Sequence, residues 1–191
     1  MSYIISPPEE TALQAHLHKL RTQLHEDPEL SWQEHRTTRL VRRELEALCL
    51  EPVPLGLPTG TAALLRGALP GPTVGLRADL DALPITERTG AEFSSRVPGV
   101  MHACGHDIHM AALLGAARLL AARREQLAGN VLFLFQPAEE AATGAMQVLE
   151  QGLFRRVPMA GMLALHVWPG LAQGQLGIRS GAILSAVDSF E

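Results

Sequence analysis

The first part of the chain repeats leucine with the spacing of an amphipathic helix. The repeats fall at i, i+4, i+7 and i+11, at Leu13, Leu17, Leu20 and Leu24. Pro28 predicts that this helix ends at Asp27, because the residue before a proline avoids the helical region.

Three further helices are predicted downstream. Ser-Trp-Gln-Glu at 31–34 has the sequence of a capping box and predicts that a second helix begins there. Its apolar face carries Val41, Leu45 and Leu48. A third helix, ending before Gly129, is predicted by helical spacing of Met110, Leu113, Leu114, Ala117, Leu120 and Ala121. A fourth, around Val148 and Leu149, is predicted to stop at Gly152.

Short apolar runs between prolines and glycines predict the strands. Residues 61–66 and 73–77 are predicted as strands on either side of a turn at 70–72. Residues 131–135 and 162–167 have the continuous apolar pattern of strands buried on both faces, and 175–178 predict a weaker strand. Because strands alternate with helices, the sequence predicts an α/β fold of three layers, with a mostly parallel mixed sheet flanked by helices.

Composition and charge are those of an ordinary globular chain. Of the 191 residues, 47% are apolar and 19% are charged, which is enough for one domain with a real core. The net charge is −4 without a long basic block, so neither a nucleic acid nor an anionic membrane is expected as a partner.

Two cysteines, Cys49 and Cys104, are too few for a disulfide framework and suit a reducing compartment. The first residues lack the basic and apolar regions of a secretory signal, so we expect none. No apolar run approaches the roughly 18 residues of a membrane span. The expected location is the cytoplasm.

Chemically distinctive side chains follow the predicted strands or precede the third helix. The four groups are Asp79 and Asp81; His102, Cys104 and His106; Glu139 and Glu140; and His166. In open α/β sheets, ligands bind outside the carboxyl ends of the strands, so these segments are expected to converge on one edge.

These residue types suit a metal site. His102, Cys104 and His106 alternate, so an extended backbone would point all three the same way. Thiolate, imidazole and carboxylate are ligands of zinc and its first-row neighbours. Adjacent Glu139 and Glu140 cannot point inward identically, so one can bind metal while the other transfers a proton.

Taken singly, most of these residues also have a structural explanation. The two aspartates can cap loops, the glutamate pair can sit at a helix N-terminus, and His166 can be a hydrogen-bonded core histidine. His109 is expected on the helix surface or as a support for the site. Cys104 between two histidines is harder to explain structurally, and the four groups together favour a metal site.

Five stretches resemble the dinuclear metal amidohydrolases, a family that includes hippurate hydrolases, plant auxin-conjugate hydrolases and bacterial N-acyl-amino-acid amidohydrolases. The stretches are His-Glu-Asp-Pro-Glu-Leu at 25–30, Arg-Ala-Asp-Leu-Asp-Ala-Leu-Pro at 77–84, Met-His-Ala-Cys-Gly-His-Asp at 101–107, Phe-Gln-Pro-Ala-Glu-Glu at 135–140 and Leu-His at 165–166.

The resemblance implies a zinc-peptidase-like catalytic domain that hydrolyses N-acyl amino acids with two divalent ions of manganese, zinc, nickel or cobalt. The matching metal ligands are Cys104, His106, Glu140 and His166. Glu139 matches the general base and then acid, and Asp81 matches an aspartate that orients a neighbouring group. Asp79 and His102 fall within the motifs without a definite role. A homodimer is implied for the full-length protein.

The family's chain continues well beyond this one. We therefore expect residues 1–181 to be the amino-terminal part of an incomplete catalytic domain, and 182–191 to begin a lid and dimerisation domain. Two alternatives stay open: an inactive, truncated metal-binding fragment, and a metal-independent amidase with Cys104 as nucleophile. Sensitivity to chelators separates the second alternative from the metal hydrolase.

Overall fold

The computed structural model of the chain describes residues 6–182, which form one mixed sheet and the helices around it. In chain order the elements are α1 (Pro7–Glu26), α2 (His35–Ala47), β1 (Glu51–Val53), β2 (Thr61–Arg66), β3 (Leu69–Asp79), α3 (His106–Ala121), β4 (Ala128–Gln136), α4 (Gly144–Glu150), α5 (Leu153–Arg156) and β5 (Gly161–Ala164), with a 3-10 turn at Arg124–Gln126 before β4. The predicted start of a lid at 182–191 lies almost wholly outside the described residues and stays a prediction.

The sheet has the strand order β1-β2-β4-β3-β5. β2 is antiparallel to both of its neighbours, β1 and β4, whereas β3 is parallel to both β4 and β5. The carboxyl ends of β3, β4 and β5 therefore lie at the same edge of the sheet.

Apolar side chains cover both faces of the sheet, which confirms the predicted three layers. On one face α1, α2 and α3 bury residues such as Leu24, Val41 and Met110 against Phe133 and Phe135 of β4. On the other face the core residues are Leu55, Ala62, Leu64, Leu132, Leu134, Val148 and Leu153. The apolar run at 131–135 is thus buried on both sides, as predicted for a central strand.

The helix predictions are confirmed, except for the start of α2. Glu34 precedes that helix but caps nothing with its side chain; it is fully buried and bonds elsewhere. A capping box forms at α1 instead, where the Glu9 carboxylate accepts from the backbone N–H of Ser6. The prediction at 31–34 was wrong because a local sequence match does not reveal a tertiary partner.

The strands predicted at 61–66 and 73–77 are confirmed as β2 and as part of β3, whereas the turn at 70–72, the burial of the strand at 162–167 and the strand at 175–178 were predicted wrongly. Residues 70–72 are part of β3, with a register shift between Leu69 and Thr73, and β4 lies between β2 and β3. The run at 162–167 forms only the short β5, which is exposed because it is the edge strand of the described sheet. Residues 175–178 form no strand.

Among the described helices, none has both the length and the apolar character needed to cross a membrane.

Candidate metal centre

The side chains singled out in the sequence converge on one edge of the sheet, as predicted. β3 ends at Asp79, two residues before Asp81, and β4 ends at Gln136, shortly before Glu139 and Glu140. β5 ends two residues before His166. The helix α3 begins at His106, so its amino-terminal end lies at the same edge of the sheet.

Within residues 6–182, three groups of side chains have ligand atoms within 4.8 Å of one another. They are Cys104, His106 and His166; His106, Glu139 and Glu140; and Asp79, His106 and His109. His106 is common to all three groups, so it lies at the middle of the site. The structure therefore brings together all of the metal ligands suggested by the sequence, with Glu139 beside them.

Both predicted histidine ligands have the proton fixed on Nδ1, so the lone pair lies on Nε2. Nδ1 of His106 lies 2.7 Å from the backbone oxygen of Asp81, and Nδ1 of His166 lies 2.7 Å from that of Val167. A carbonyl only accepts, so each Nδ1 carries the proton and donates it. In the neutral rings Nε2 is left with a lone pair, an arrangement typical of histidine metal ligands.

The distances around these nitrogens suit a cation. Nε2 of His106 is 3.7 Å from Glu139 Oε2 and 3.7 Å from Glu140 Oε1, and Nε2 of His166 is 3.4 Å from Cys104 Sγ. Two light-atom ligands of one tetrahedral zinc ion are roughly 3.3–3.6 Å apart. Within the described chain, His106 Nε2 and Glu140 Oε1 are buried without a hydrogen-bond partner. These residues therefore fit a divalent metal ion.

Asp81 holds this arrangement with four hydrogen bonds. Its backbone oxygen orients His106, and its carboxylate accepts from the backbone N–H groups of Glu139 at 3.0 Å and Glu140 at 2.9 Å. The Ser31 hydroxyl donates to the same carboxylate at 2.7 Å. Burial raises the pKa of Asp81, but these hydrogen bonds outweigh it, so the net pKa is lowered.

The two glutamates share one target but differ in exposure. Both carboxylates lie 3.7 Å from His106 Nε2, although the sequence predicted that the two side chains do not point inward identically. The side chain of Glu139 is 40% exposed, whereas that of Glu140 is 21% exposed. Burial raises the pKa of Glu140 above its usual value. The more exposed carboxylate of Glu139 can contact a substrate. The more buried carboxylate of Glu140 is partly desolvated, and a bound cation would compensate for the water that it has lost.

Cys104 is surrounded by negative charge. Burial, and then the neighbouring carboxylates of Glu140 and Glu139, raise the pKa of its thiol to about 12. An isolated thiolate is therefore unfavourable here, whereas a nucleophilic cysteine needs a lowered pKa.

Asp79, which the sequence left without a role, is engaged by its own partners. Its carboxylate accepts from Arg77 at 2.7 Å and from His109 Nδ1 at 2.7 Å. Burial raises its pKa, but the hydrogen bond from His109 and the charges of His106 and Arg77 dominate, so the pKa falls to about 2. Asp79 is thus a fixed anion beside the site.

His102 does not point with its neighbours, so the prediction from alternation was wrong. A turn interrupts the extended chain: Gly105 N donates to His102 O, and Gly105 has φ +85°. The ring of His102 lies instead 6.4 Å from that of His25, and burial lowers its pKa to about 4. Within the described residues it joins no metal-holding group.

Glu34 is a functional candidate that sequence reasoning missed. Its carboxylate accepts from the Thr59 hydroxyl at 2.7 Å and from the backbone N–H of Ala138 at 2.8 Å. Ala138 has φ +50°, which is unusual for alanine, and it directly precedes Glu139. The only sequence signal was the Ser-Trp-Gln-Glu pattern at 31–34, which was interpreted as a capping box.

The chain is similar in sequence to curated hydrolases. N-acetylcysteine deacetylase of Bacillus subtilis (strain 168) is 46% identical over 181 residues, which cover 94% of this chain and 47% of the relative. N-acyl-L-amino acid amidohydrolase of Geobacillus stearothermophilus is 42% identical over 173 residues, 89% of this chain and 46% of the relative. The chain thus spans about half the length of the curated relatives it matches.

A solved structure and a family profile agree with these relatives. The YXEP protein of Bacillus subtilis, described as a dinuclear metal binding peptidase from the M20 family, matches with a TM-score of 0.81 and 46% identity over 84% of this chain and 45% of that one. The profile of peptidase family M20/M25/M40 matches residues 75–187, more than half of the chain. These matches confirm the resemblance seen in the motifs. The chain belongs to peptidase family M20/M25/M40.

Proposed function

We propose that this chain supplies the metal-holding half of a hydrolase that cleaves the amide bond of N-acyl amino acids, releasing a carboxylic acid and an amino acid. The convergence of two histidine Nε2 atoms, a thiol and two glutamates on one sheet edge carries the proposal. The relatives named for N-acetylcysteine and N-acyl-L-amino acids support this substrate class. Acetyl, benzoyl and indole-acetyl groups all remain candidates for the acyl part.

Each residue has a distinct role in this proposal. Cys104, His106, Glu140 and His166 hold two divalent transition ions, of manganese, zinc, nickel or cobalt. When bound, such ions polarise the scissile carbonyl and lower the pKa of water toward about 7. The exposed Glu139 takes the proton of the attacking water and delivers it to the leaving amine nitrogen. Asp81 fixes the backbone of both glutamates and the proton of His106.

The proposal extends to the protein's organisation and location. Residues 1–181 belong to the catalytic domain, and 182–191 begin a lid and dimerisation domain through which the full-length protein forms a homodimer. The protein acts in the cytoplasm, where Cys104 stays reduced and available as a ligand.

The alternative with Cys104 as nucleophile has one observation in its favour, the 3.4 Å contact between its Sγ and Nε2 of His166. The raised pKa of the thiol and the adjacent carboxylates argue against it. Hydrolysis that persists after treatment with a strong chelator would favour this alternative.

Paired substitutions of the two glutamates test the proposal. In this chain we expect Glu140→Gln to lower the zinc or manganese retained after dialysis, since an amide is a weaker ligand, while Glu139→Gln retains it. In a full-length relative with the same motifs, the change matching Glu139→Gln should lower kcat about 10²- to 10⁴-fold, because an amide cannot shuttle protons. Elemental analysis and a hydrolysis assay are the measurements. Near-normal turnover without the carboxylate contradicts the role of Glu139.

A further inference from the structure

His109 is a buried histidine on α3 for which the proposed mechanism has no use. Its Nδ1 lies 2.7 Å from Asp79 Oδ1, and its Nε2 lies 3.0 Å from the backbone nitrogen of Val167. A backbone N–H only donates, so Nε2 is the acceptor and the proton resides on Nδ1, which donates to Asp79. Both ring nitrogens are therefore engaged, and the lone pair of Nε2 is not available to a metal ion.

Val167, whose backbone N–H donates to His109, directly follows the proposed ligand His166. Its side chain has a second anchoring point at Gly105, where an added Cβ would lie only 2.6 Å from Val167 Cγ2. Gly105 separates Cys104 from His106. Val167 is thus held on two sides by the beginning of α3, the same segment that carries two of the proposed ligands.

The segment around His166 needs such an anchor. The hydrogen-bonded ladder of β5 ends at Ala164, two residues before His166. The flanking side chains are exposed, 70% for Leu165 and 58% for Trp168, so little apolar packing fixes this stretch.

We propose that His109 is a positioning residue: by accepting the N–H of Val167 and donating to Asp79, it fixes the backbone that sets His166 opposite Cys104. This inference rests on the proposed function in that it takes His166 as a metal ligand. The chain of contacts runs from Arg77 through Asp79 and His109 to Val167, so the end of β3 and the segment after β5 are tied together across α3.

Two substitutions of His109 in the 1–191 chain test the inference. Glutamine offers one acceptor and one donor, as the neutral imidazole does, but it is a poor metal ligand and does not titrate. Leucine offers neither. In metal-free protein, hydrogen exchange of the Val167 amide should accelerate in His109→Leu and stay near wild type in His109→Gln. With cobalt(II) as the probe, affinity should fall about 10- to 100-fold in His109→Leu and recover in His109→Gln.

His18→Leu, at an exposed histidine on α1, is the matched control and should change neither measurement. Unchanged Val167 exchange in His109→Leu overturns the inference, and so does an equal loss of cobalt affinity in both variants, which would make His109 a ligand. If His109→Leu does not fold, failure of His109→Gln to protect Val167 is equally decisive. If the wild type itself binds no cobalt, the proposed metal site fails, while the exchange data still decide the role of His109.

Discussion

Carboxylates crowd around His106, and their individual partners decide how each of them titrates. Asp79 has a guanidinium and an imidazole N–H, so its pKa is low, while burial raises the pKa values of both Glu140 and Cys104, and the charge of Glu140 raises that of Cys104 further. In the metal-free site, protons are therefore favoured on Cys104, Glu140 and His106, whose pKa values are raised, and Asp79 keeps its charge. A bound cation would take the place of those protons, so metal affinity should rise with pH.

Asp79 should make the stability of the metal-free chain depend on pH. Its pKa falls from the ordinary 3.8 to about 2 on folding, so it stabilises the fold fully above about pH 4. That contribution, roughly 2 kcal/mol, disappears as the pH falls from about 4 to about 2. Asp79→Asn should lower the free energy of unfolding at neutral pH, and the gap to wild type should narrow by that amount at low pH. Urea unfolding from pH 7 to 2 measures it.

Asp27→Asn serves as the control for this experiment. The side chain of Asp27 is 47% exposed, and its ion pair with Arg36 is long, at 4.0 Å. Its effect on unfolding should be small throughout the pH range. A gap between Asp79→Asn and wild type that stays constant with pH would show that the carboxylate does not titrate as described.

The turn from β4 to α4 is the element that sets the direction of both glutamates. Three consecutive backbone N–H groups, of Ala138, Glu139 and Glu140, all donate to the buried carboxylates of Glu34 and Asp81. The turn closes where Gly144 N donates to Ala138 O at 3.1 Å. Burying two anions is costly, and these N–H donors are what offset that cost.

Gly144→Ala should open this turn. A Cβ at Gly144 would lie 1.7 Å from the backbone oxygen of Pro137, so the backbone has to shift. We expect a loss of about 1–3 kcal/mol in the free energy of unfolding, together with weaker metal binding. Gly161→Ala is the matched control, because nothing lies within 4 Å of its added Cβ. Equal unfolding midpoints for the two variants would contradict the close packing of this turn.

The described fold leaves one side of its sheet open. β5 is an edge strand whose four residues are all exposed, and large apolar side chains are exposed on it and after it. The most exposed are Leu165 at 70%, Leu176 at 77% and Ile178 at 90%, and Leu163 on β5 itself is 68% exposed. An exposed apolar edge strand pairs readily with another chain, so the 1–191 chain should self-associate.

Leu163→Lys should reduce this self-association, because a charge on an edge strand opposes pairing with a second copy. Sedimentation velocity at several protein concentrations is the measurement, with an increased monomer fraction as the expected result. Met146→Lys on α4 is the control, since Met146 is 57% exposed but lies away from the β5 edge. A wild-type chain that remains monomeric at all concentrations would sink the idea.

Periodicity along the chain was sufficient to predict α1 to α4 and the buried β4, and residue type was sufficient to indicate a metal site. Helical spacing is local, and a strand covered on both faces needs an unbroken apolar run, so both patterns can be read without the fold. Thiol, imidazole and carboxylate side chains at strand ends and a helix start indicated a metal site, and the resemblance to the dinuclear metal amidohydrolases selected Cys104, His106, Glu140 and His166 as its ligands. The Leu-rich face of α1 and the apolar stripe of α3 were predictable for the same reason.

Residues distant in sequence supplied the rest. Glu34 meets Ala138 across 104 positions and His109 meets Val167 across 58, so no local pattern indicates these contacts. The insertion of β4 between β2 and β3, and the exposure of β5, depend on strand pairing. His102 turned away from the metal site because a turn at Gly105 broke the extended chain assumed from alternation. In each case the stabilising free energy comes from burial and hydrogen bonding between distant segments. Those contacts form only when the sheet assembles.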